Sequence, residues 1–150
     1  MKVYTLRREQ WVPHPVSEVF DFFSHAENLE KLTPAWLRFE IVTPKPVEMK
    51  QGMLIQYALR LRGIPLRWLT QVEDWNPPYE FVDIQLKGPY RLWRHTHTFL
   101  SVNGGTKVVD EIEYALPFGL LGRIVHRVQV ARDVAGIFDY RQEKIRTRFP

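Results

Sequence analysis

Cysteine is missing from all 150 residues. Disulfide frameworks, thiolate zinc sites, iron–sulfur clusters and cysteine nucleophiles are thereby excluded together. Long apolar runs are missing too. No stretch approaches the roughly 18–20 residues that span a bilayer, and Met1-Lys2-Val3-Tyr4 leads straight into charged residues with no signal-peptide core. The expectation is a soluble, cytoplasmic protein with no transmembrane segment. The chain also holds no G-x-S-x-G, no Gly-rich phosphate loop and no H-E-x-x-H, the strings that carry hydrolase, nucleotide and metalloprotease chemistry. Nothing resembling a repeat, low-complexity tract or linker divides it, so residues 1–150 are expected to form one domain.

What is present is core-forming material. Hydrophobic residues make up 45% and aromatic residues 13% of the chain, enough to offset the entropy of ordering a backbone and to exclude a disordered protein. The net charge of +4 is unevenly placed. Residues 119–150 carry seven basic side chains against three acidic ones, and the first 118 residues are neutral. One C-terminal element therefore holds the whole excess. An arginine-rich solvated helix face explains this, and no nucleic-acid motif accompanies it, so no nucleic-acid partner is expected. Attachment to a protein partner through that basic helix is a further reading.

Periodicity divides the chain into elements. Residues 2–12 read as a strand ending at Pro13, and Pro15-Val16-Ser17-Glu18 is a helix start. Val16, Val19, Phe20 and Phe23 give that helix one apolar face, and a second short helix covers Ala26 to Leu32. Past Pro34 the period becomes two. Strands are expected at 37–43, 53–62, 66–75, 79–87, 91–102 and 106–116, separated by Gly and Pro turn signals. A long helix then runs to about Arg148. Its apolar positions Ile124, Val128, Ala131, Ala135, Phe138, Ile145 and Phe149 step by three and four, leaving the arginines mostly outside. An antiparallel sheet with one wet face must bury the other, and only this helix is large enough to cover it. The expected fold class is α+β, a curved seven-stranded antiparallel sheet wrapped around a C-terminal helix, with two short helices between strands 1 and 2.

Hairpin register converts this into a site, because paired residues share a face. A two-residue loop at Gly63-Ile64 pairs Leu61 with Leu66, Leu59 with Trp68, Tyr57 with Thr70 and Ile55 with Val72, all facing inward. Arg60, Arg62, Arg67, Gln71 and Glu73 then face out. In the last hairpin, a turn at Asn103-Gly104 or Gly104-Gly105 puts Trp93, His95, His97 and Phe99 on the face of Val108, Asp110, Ile112 and Tyr114. Strand 79–87 is ambiguous. Its hydrophobicity places Val82, Ile84 and Leu86 inward, which is the preferred assignment, whereas a bulged loop at Gly88-Pro89 would turn Asp83 and Gln85 toward His95.

The inward list defines the candidate site. Tyr57, Leu59, Trp68, Thr70, Trp93, His95, His97, Phe99, Tyr114 and Phe138 suit a pocket for a flat apolar molecule. His95, His97 and Asp110 have the composition of a two-histidine, one-carboxylate metal set, but any H-x-H on a strand gives that spacing. Ligand contact, or a bond such as His97 to Asp110, is favoured, and neither metal nor cofactor is expected. The same three residues are the candidates for acid–base catalysis, although no nucleophile accompanies them. Pro117-Phe118-Gly119-Leu120-Leu121 reads first as a buried hinge, with a portal or a transient membrane contact as the alternative.

Several strings add a resemblance. Pro15 to Phe23 followed by Asn28-Leu29, Phe81 to Tyr90, Trp93 to Phe99, and Tyr114-Ala115-Leu116-Pro117 leading into Gly119 resemble the START-like (SRPBCC) superfamily of helix-grip proteins. That superfamily includes polyketide cyclase/dehydrases, coenzyme-Q-binding START-type proteins and pollen-allergen-type carriers. The resemblance spans essentially the whole chain and implies a cavity between sheet and C-terminal helix that holds lipids, quinones or polyketides. Some relatives are enzymes and many only bind and carry. The expected function is to bind or carry a small hydrophobic or aromatic molecule, with a cyclase or dehydratase acting in the same cavity as the alternative. No cyclase active-site pattern matches residue by residue.

Overall fold

A computed structural model describes residues 1–150. Strand β1 (Tyr4–Val12) ends where Pro13 removes a ladder donor, and Pro15, in extended conformation, sits just before helix α1 (Val16–Phe23). Helix α2 (Asn28–Leu32) and a single 3-10 turn (Ala35–Leu37) follow. Then come β2 (Glu40–Ile41), β3 (Leu54–Leu61), β4 (Ile64–Asn76), β5 (Glu80–Lys87), β6 (Leu92–Val102) and β7 (Gly105–Ala115). The expected strand 37–43 shrinks to two residues because Leu37 belongs to the 3-10 turn and Arg38 adopts a left-handed conformation, φ 47°. The C-terminal rod comprises α3 (Gly119–Val125), a π-helical turn (His126–Val130) and α4 (Ala131–Arg148).

The seven strands form one antiparallel, curved sheet in the order β1-β7-β6-β5-β4-β3-β2. Two turns set the register of its long hairpins. At Asn103-Gly104 both residues have positive φ, 53° and 76°, as a two-residue hairpin with the right-handed strand twist requires. The other turn lies at Arg62-Gly63, φ 51° and 80°, one residue earlier than expected. Leu61 therefore faces Ile64, Leu59 faces Leu66, Tyr57 faces Trp68 and Ile55 faces Thr70. The slip is by two residues in pairing, so every side chain keeps the face assigned to it.

Phe20 and Phe23 of α1 pack edge-on and tilted against Phe99 at 5.2 Å, and Phe22 meets Phe149 at 5.4 Å. This ties the first helix to the sheet and to the end of α4. A smaller cluster of Ile112, Tyr114, Val134 and Phe138 joins β7 to the middle of the rod. Close approach is needed where β7 begins beside β1. A Cβ on Gly105 would lie 2.3 Å from the Val12 carbonyl oxygen and 2.6 Å from the Trp11 ring. Gly105→Ala is therefore expected to destabilise the protein by about 1–3 kcal/mol through overpacking, measured by urea unfolding; a neutral result would mean that the β1 edge moves freely.

Only the second half of the rod buries the expected apolar stripe. Phe138, Ile145 and Phe149 of that stripe are buried, joined by Val134 where Ala131 and Ala135 were expected, while Ile124 and Val128 are exposed. The side of α3 turned to the protein carries Gly122, packed under the Pro117 carbonyl and Leu116. Phe118, Leu120 and Leu121 are exposed, which overturns the buried-hinge reading of this loop. No helix is long and apolar enough to cross a membrane.

Candidate functional site

The site is built on β5 and β6. Phe81 pairs with His97 and Asp83 with His95, so Phe81 and Asp83 share the inner face with the two histidines. Val82, Ile84 and Leu86 face the other way, and Leu86 is 45% exposed. The apolar assignment of strand 79–87 is thus reversed. Two irregularities in the β4–β5 ladder, at Leu69/Thr70 and Val72/Asp74, shift the register. Gln85 donates to the Tyr90 carbonyl and accepts from the Tyr90 amide across the loop. Chain geometry here outweighs side-chain hydrophobicity, because the polar residues have partners inside.

The decisive partner comes from the helix. Arg141 is only 6% exposed rather than part of a solvated basic face. Its Nε donates to Asp110 Oδ2 and its Nη2 to Asp110 Oδ1, both at 3.2 Å. Nη2 also lies 3.3 Å from His97 Nδ1. A guanidinium can only donate, so His97 Nδ1 holds a lone pair and its hydrogen sits on Nε2, donated to Asp83 Oδ2 at 2.6 Å. The expected His97–Asp110 bond is not made; Nδ1 is 3.6 Å from that carboxylate. Instead His95 Nε2 donates to Asp110 Oδ1 at 2.8 Å, since a carboxylate accepts. The imidazoles stack at 3.6 Å between Phe81 and Phe138.

Burial and charge shift three members of this network, His97, Asp110 and Asp83. Burial pulls the His97 imidazole down to about 4, helped by repulsion from His95 and Arg141 against the opposing pull of Asp83. For Asp110, burial acts upward, yet the Arg141 charge and the His95 hydrogen bond hold its carboxyl far below the usual range. Asp83 is likewise held low, its burial outweighed chiefly by the hydrogen bond from His97. Burial pushes the Tyr57 and Tyr90 phenols up, so both stay protonated.

These groups close one end of a cavity of about 160 Å³. Asp83 and His95 both line it, and their Oδ1 and Nδ1 make no hydrogen bond within the protein. The walls are apolar. Leu32, Leu37 and Phe39 come from the segment before β3, Tyr57, Leu59 and Trp68 from the β3–β4 hairpin, and Ile137 and Phe138 from α4. Half-exposed Leu29, Leu61, Pro89 and Tyr90 rim it. Trp68 and Trp93 meet edge to face at 5.1 Å, with Tyr90 4.8 Å from Trp93.

Eight of the ten residues assigned to the pocket from sequence line this cavity: Tyr57, Leu59, Trp68, Thr70, Trp93, His95, His97 and Phe138. Phe99 does not, being sealed in the core against Phe20 and Phe23. Tyr114 does not either; its hydroxyl lies 2.7 Å from His126 Nε2, beside Tyr4. Asp110 stands behind the wall, bonded to His95 and Arg141. Asp83 was placed inward only by the alternative, bulged-loop reading of strand 79–87, and Arg141 went unassigned. A signal for Arg141 existed, because the apolar stripe skips from Phe138 to Ile145 and Arg141 fills the vacant step.

One potential ligand atom each from Asp83, His95 and His97 lies within 4.8 Å of the others. A divalent ion there would displace the hydrogen His97 gives to Asp83, beside the Arg141 charge. Its charge would also add to that of Arg141, 3.3 Å from His97 Nδ1, so these residues fit a metal poorly.

Residues 12–136 match the family described as polyketide cyclase / dehydrase and lipid transport. Solved structures share the fold at low identity. A protein of Thermus thermophilus is 19% identical, with 95% of this chain and 97% of that one covered and a TM-score of 0.72. The ginseng major latex-like protein 151 of Panax ginseng is 9% identical over 99% and 98%, TM-score 0.70. A Mycobacterium smegmatis protein, Ms6760, is 15% identical over 98% and 95%, TM-score 0.68. No curated protein matches the sequence.

Proposed function

The chain belongs to the polyketide cyclase/dehydrase and lipid transport family, and from that premise we propose that it binds a small neutral aromatic molecule bearing a hydroxyl group. One observation carries this reading: an apolar cavity lined at one place by Asp83 and His95, whose Oδ1 and Nδ1 make no hydrogen bond within the protein. Asp110 is paired with Arg141 behind the wall, which leaves the Asp83 carboxylate in the lining, favouring a donor and disfavouring an anion beside it. A carboxylate-headed lipid inserted head first would face Asp83. The size also selects. A dry apolar cavity of about 150 Å³ accommodates benzene, so 160 Å³ suits a single ring, and anything longer has to extend past the rim of Leu61, Pro89 and Tyr90.

Trp68 and Trp93 report binding directly through their fluorescence. Phenol is expected to bind at least tenfold more tightly than benzoate at pH 7, and Asp83→Asn to narrow that gap by relieving the repulsion. Equal affinity for phenol and benzoate would place the ligand away from Asp83 and refute the assignment.

A second reading rests on the same dyad. Asp110 holds His95 through Nε2, and a neutral His95 would keep a lone pair on Nδ1, the arrangement of a general base. Cyclisation or dehydration of a hydroxylated ring compound would use it to take a proton. His95→Gln separates the two: loss of turnover with binding retained supports the enzyme, and loss of binding supports recognition alone.

A further inference from the structure

The first half of the C-terminal rod is amphipathic in the wrong sense for a helix that only packs on a sheet. Its protein side presents Gly122, and its water side presents Leu120, Leu121, Ile124, Val125 and Val128, with Phe118 just before. Phe118 is 79%, Leu120 72% and Val128 69% exposed. At helical spacing the five rod residues share one face. Isolated apolar side chains on a surface need no explanation, but six within eleven residues form a contiguous patch that does.

Charge identifies what covers it. Between Glu113 and Asp133 there is no acidic residue, while Arg123, Arg127 and Arg132 are all present and exposed. At the base of this segment a cleft of about 350 Å³ is lined by Lys2, Arg91 and Arg123 with Tyr4, Leu116 and Leu120. No acidic side chain lines it. Several arginines elsewhere on the sheet and rod are paired: Arg7 and Arg8 on β1, Arg94 with Glu73, and Arg62 with Asp133. Lys2, Arg91, Arg123, Arg127 and Arg132 form no ion pair. Arg38, Arg60 and Arg67 form none either, but their cleft includes Glu40, whereas no acidic side chain lines the one beside the ridge. A protein partner of ordinary composition does not require unpaired cations around an apolar ridge. An anionic lipid surface requires both, the ridge entering the acyl boundary and the cations meeting phosphate.

We propose that Phe118–Val128 is a docking ridge for anionic phospholipid bilayers, with the Lys2/Arg91/Arg123 cleft receiving a lipid phosphate. The contact is peripheral and reversible. It is independent of what the inner cavity holds.

The test is sedimentation of the full chain with vesicles of 70% phosphatidylcholine and 30% phosphatidylglycerol, against phosphatidylcholine alone. Binding to the anionic vesicles is expected, weakening with salt. Attraction of about 1 kcal/mol per basic residue near such a surface corresponds to about fivefold in affinity, so Arg91→Ala and Arg123→Ala should each lose about that factor. Leu121→Glu with Ile124→Glu should abolish binding. Both are exposed, so the variant is expected to keep its thermal transition, which serves as the check on folding. Glycerol phosphate at millimolar concentration should not compete, since the ridge supplies much of the affinity. Failure to bind anionic vesicles at low salt overturns the proposal. So does binding that survives the double substitution. A concentration-dependent dimer lost in that variant would reassign the ridge to self-association, and full competition by glycerol phosphate would reduce the cleft to a site for a soluble anion.

Discussion

Arg141→Met is expected to destabilise the protein by about 3–5 kcal/mol, a large share of what holds a domain of this size folded. Asp110 is 3% exposed and takes two hydrogen bonds from Arg141. Without that guanidinium its carboxylate is left with His95 alone, and His97 Nδ1 loses its donor. Methionine fills comparable space, so the loss reflects the stranded charge and not a cavity. The control is Arg148→Met at the end of the same helix, on an exposed residue, where a change within about 0.5 kcal/mol is expected. Asp110→Asn added to Arg141→Met should recover part of the stability, because the pair is coupled and its two positions are then neutral. Urea unfolding at pH 7 measures all four proteins. A cost below about 1 kcal/mol for Arg141→Met would show that water reaches Asp110 and that the network is not sealed.

How much of this was legible in the sequence differs from element to element. Parity was legible wherever a tight turn fixed it. The two-residue turn at Asn103-Gly104 placed His95, His97 and Asp110 on one face, and even the misplaced turn at Gly63 preserved the faces of Tyr57, Leu59, Trp68 and Thr70, because a slip of two leaves period-two alternation unchanged. Parity was not legible across β5. There the ladder is irregular at two points, and of the two local signals hydrophobicity, which favoured Val82, Ile84 and Leu86, was preferred over a bulged loop at Gly88-Pro89. That signal failed because it scores Asp83 as a solvent residue when it is satisfied by His97. Arg141 failed for the same reason. Composition counted it with the exposed basic residues, whereas its position in the stripe between Phe138 and Ile145 marked it as inward. Buried charges are visible in sequence only as interruptions of an apolar pattern, and their partners lie on other strands, 31 and 44 residues away. The same rule, inverted, covers α3. Helical periodicity was read correctly there, but period gives no sign of which side meets protein, and Gly122 decided it.

Acid should unfold the protein in two stages, and His97 accounts for the first. Its imidazole, ordinarily near 6.5, titrates at about 4 in the folded chain, first because it is buried and then because neighbouring positive charge opposes a second proton. The unfolded chain accepts that proton below 6.5 and the folded one refuses it until about 4. The unfolded state therefore binds more protons in this window, and stability falls with falling pH. Above 6.5 the contribution is complete. It declines by about 1.4 kcal/mol per pH unit, or about 3 kcal/mol across the window. His126 is also lowered, by burial first and by Lys2 second, and adds a loss of the same sign. The second stage begins below the ordinary carboxylate range. Asp110, Asp83, Glu27 and Glu30 all have depressed values when folded, so their contributions are present at higher pH and vanish as they take up protons. His97→Gln distinguishes the stages. Glutamine keeps a donor for Asp83 but has no proton to gain, so the slope of stability between about pH 6.5 and 4.5 should shrink to the remainder from His126. The steeper loss below about pH 4 should persist. An unchanged slope in His97→Gln would mean that His97 is already protonated in the folded protein, and the hydrogen that Arg141 donates to Nδ1 would then have no acceptor.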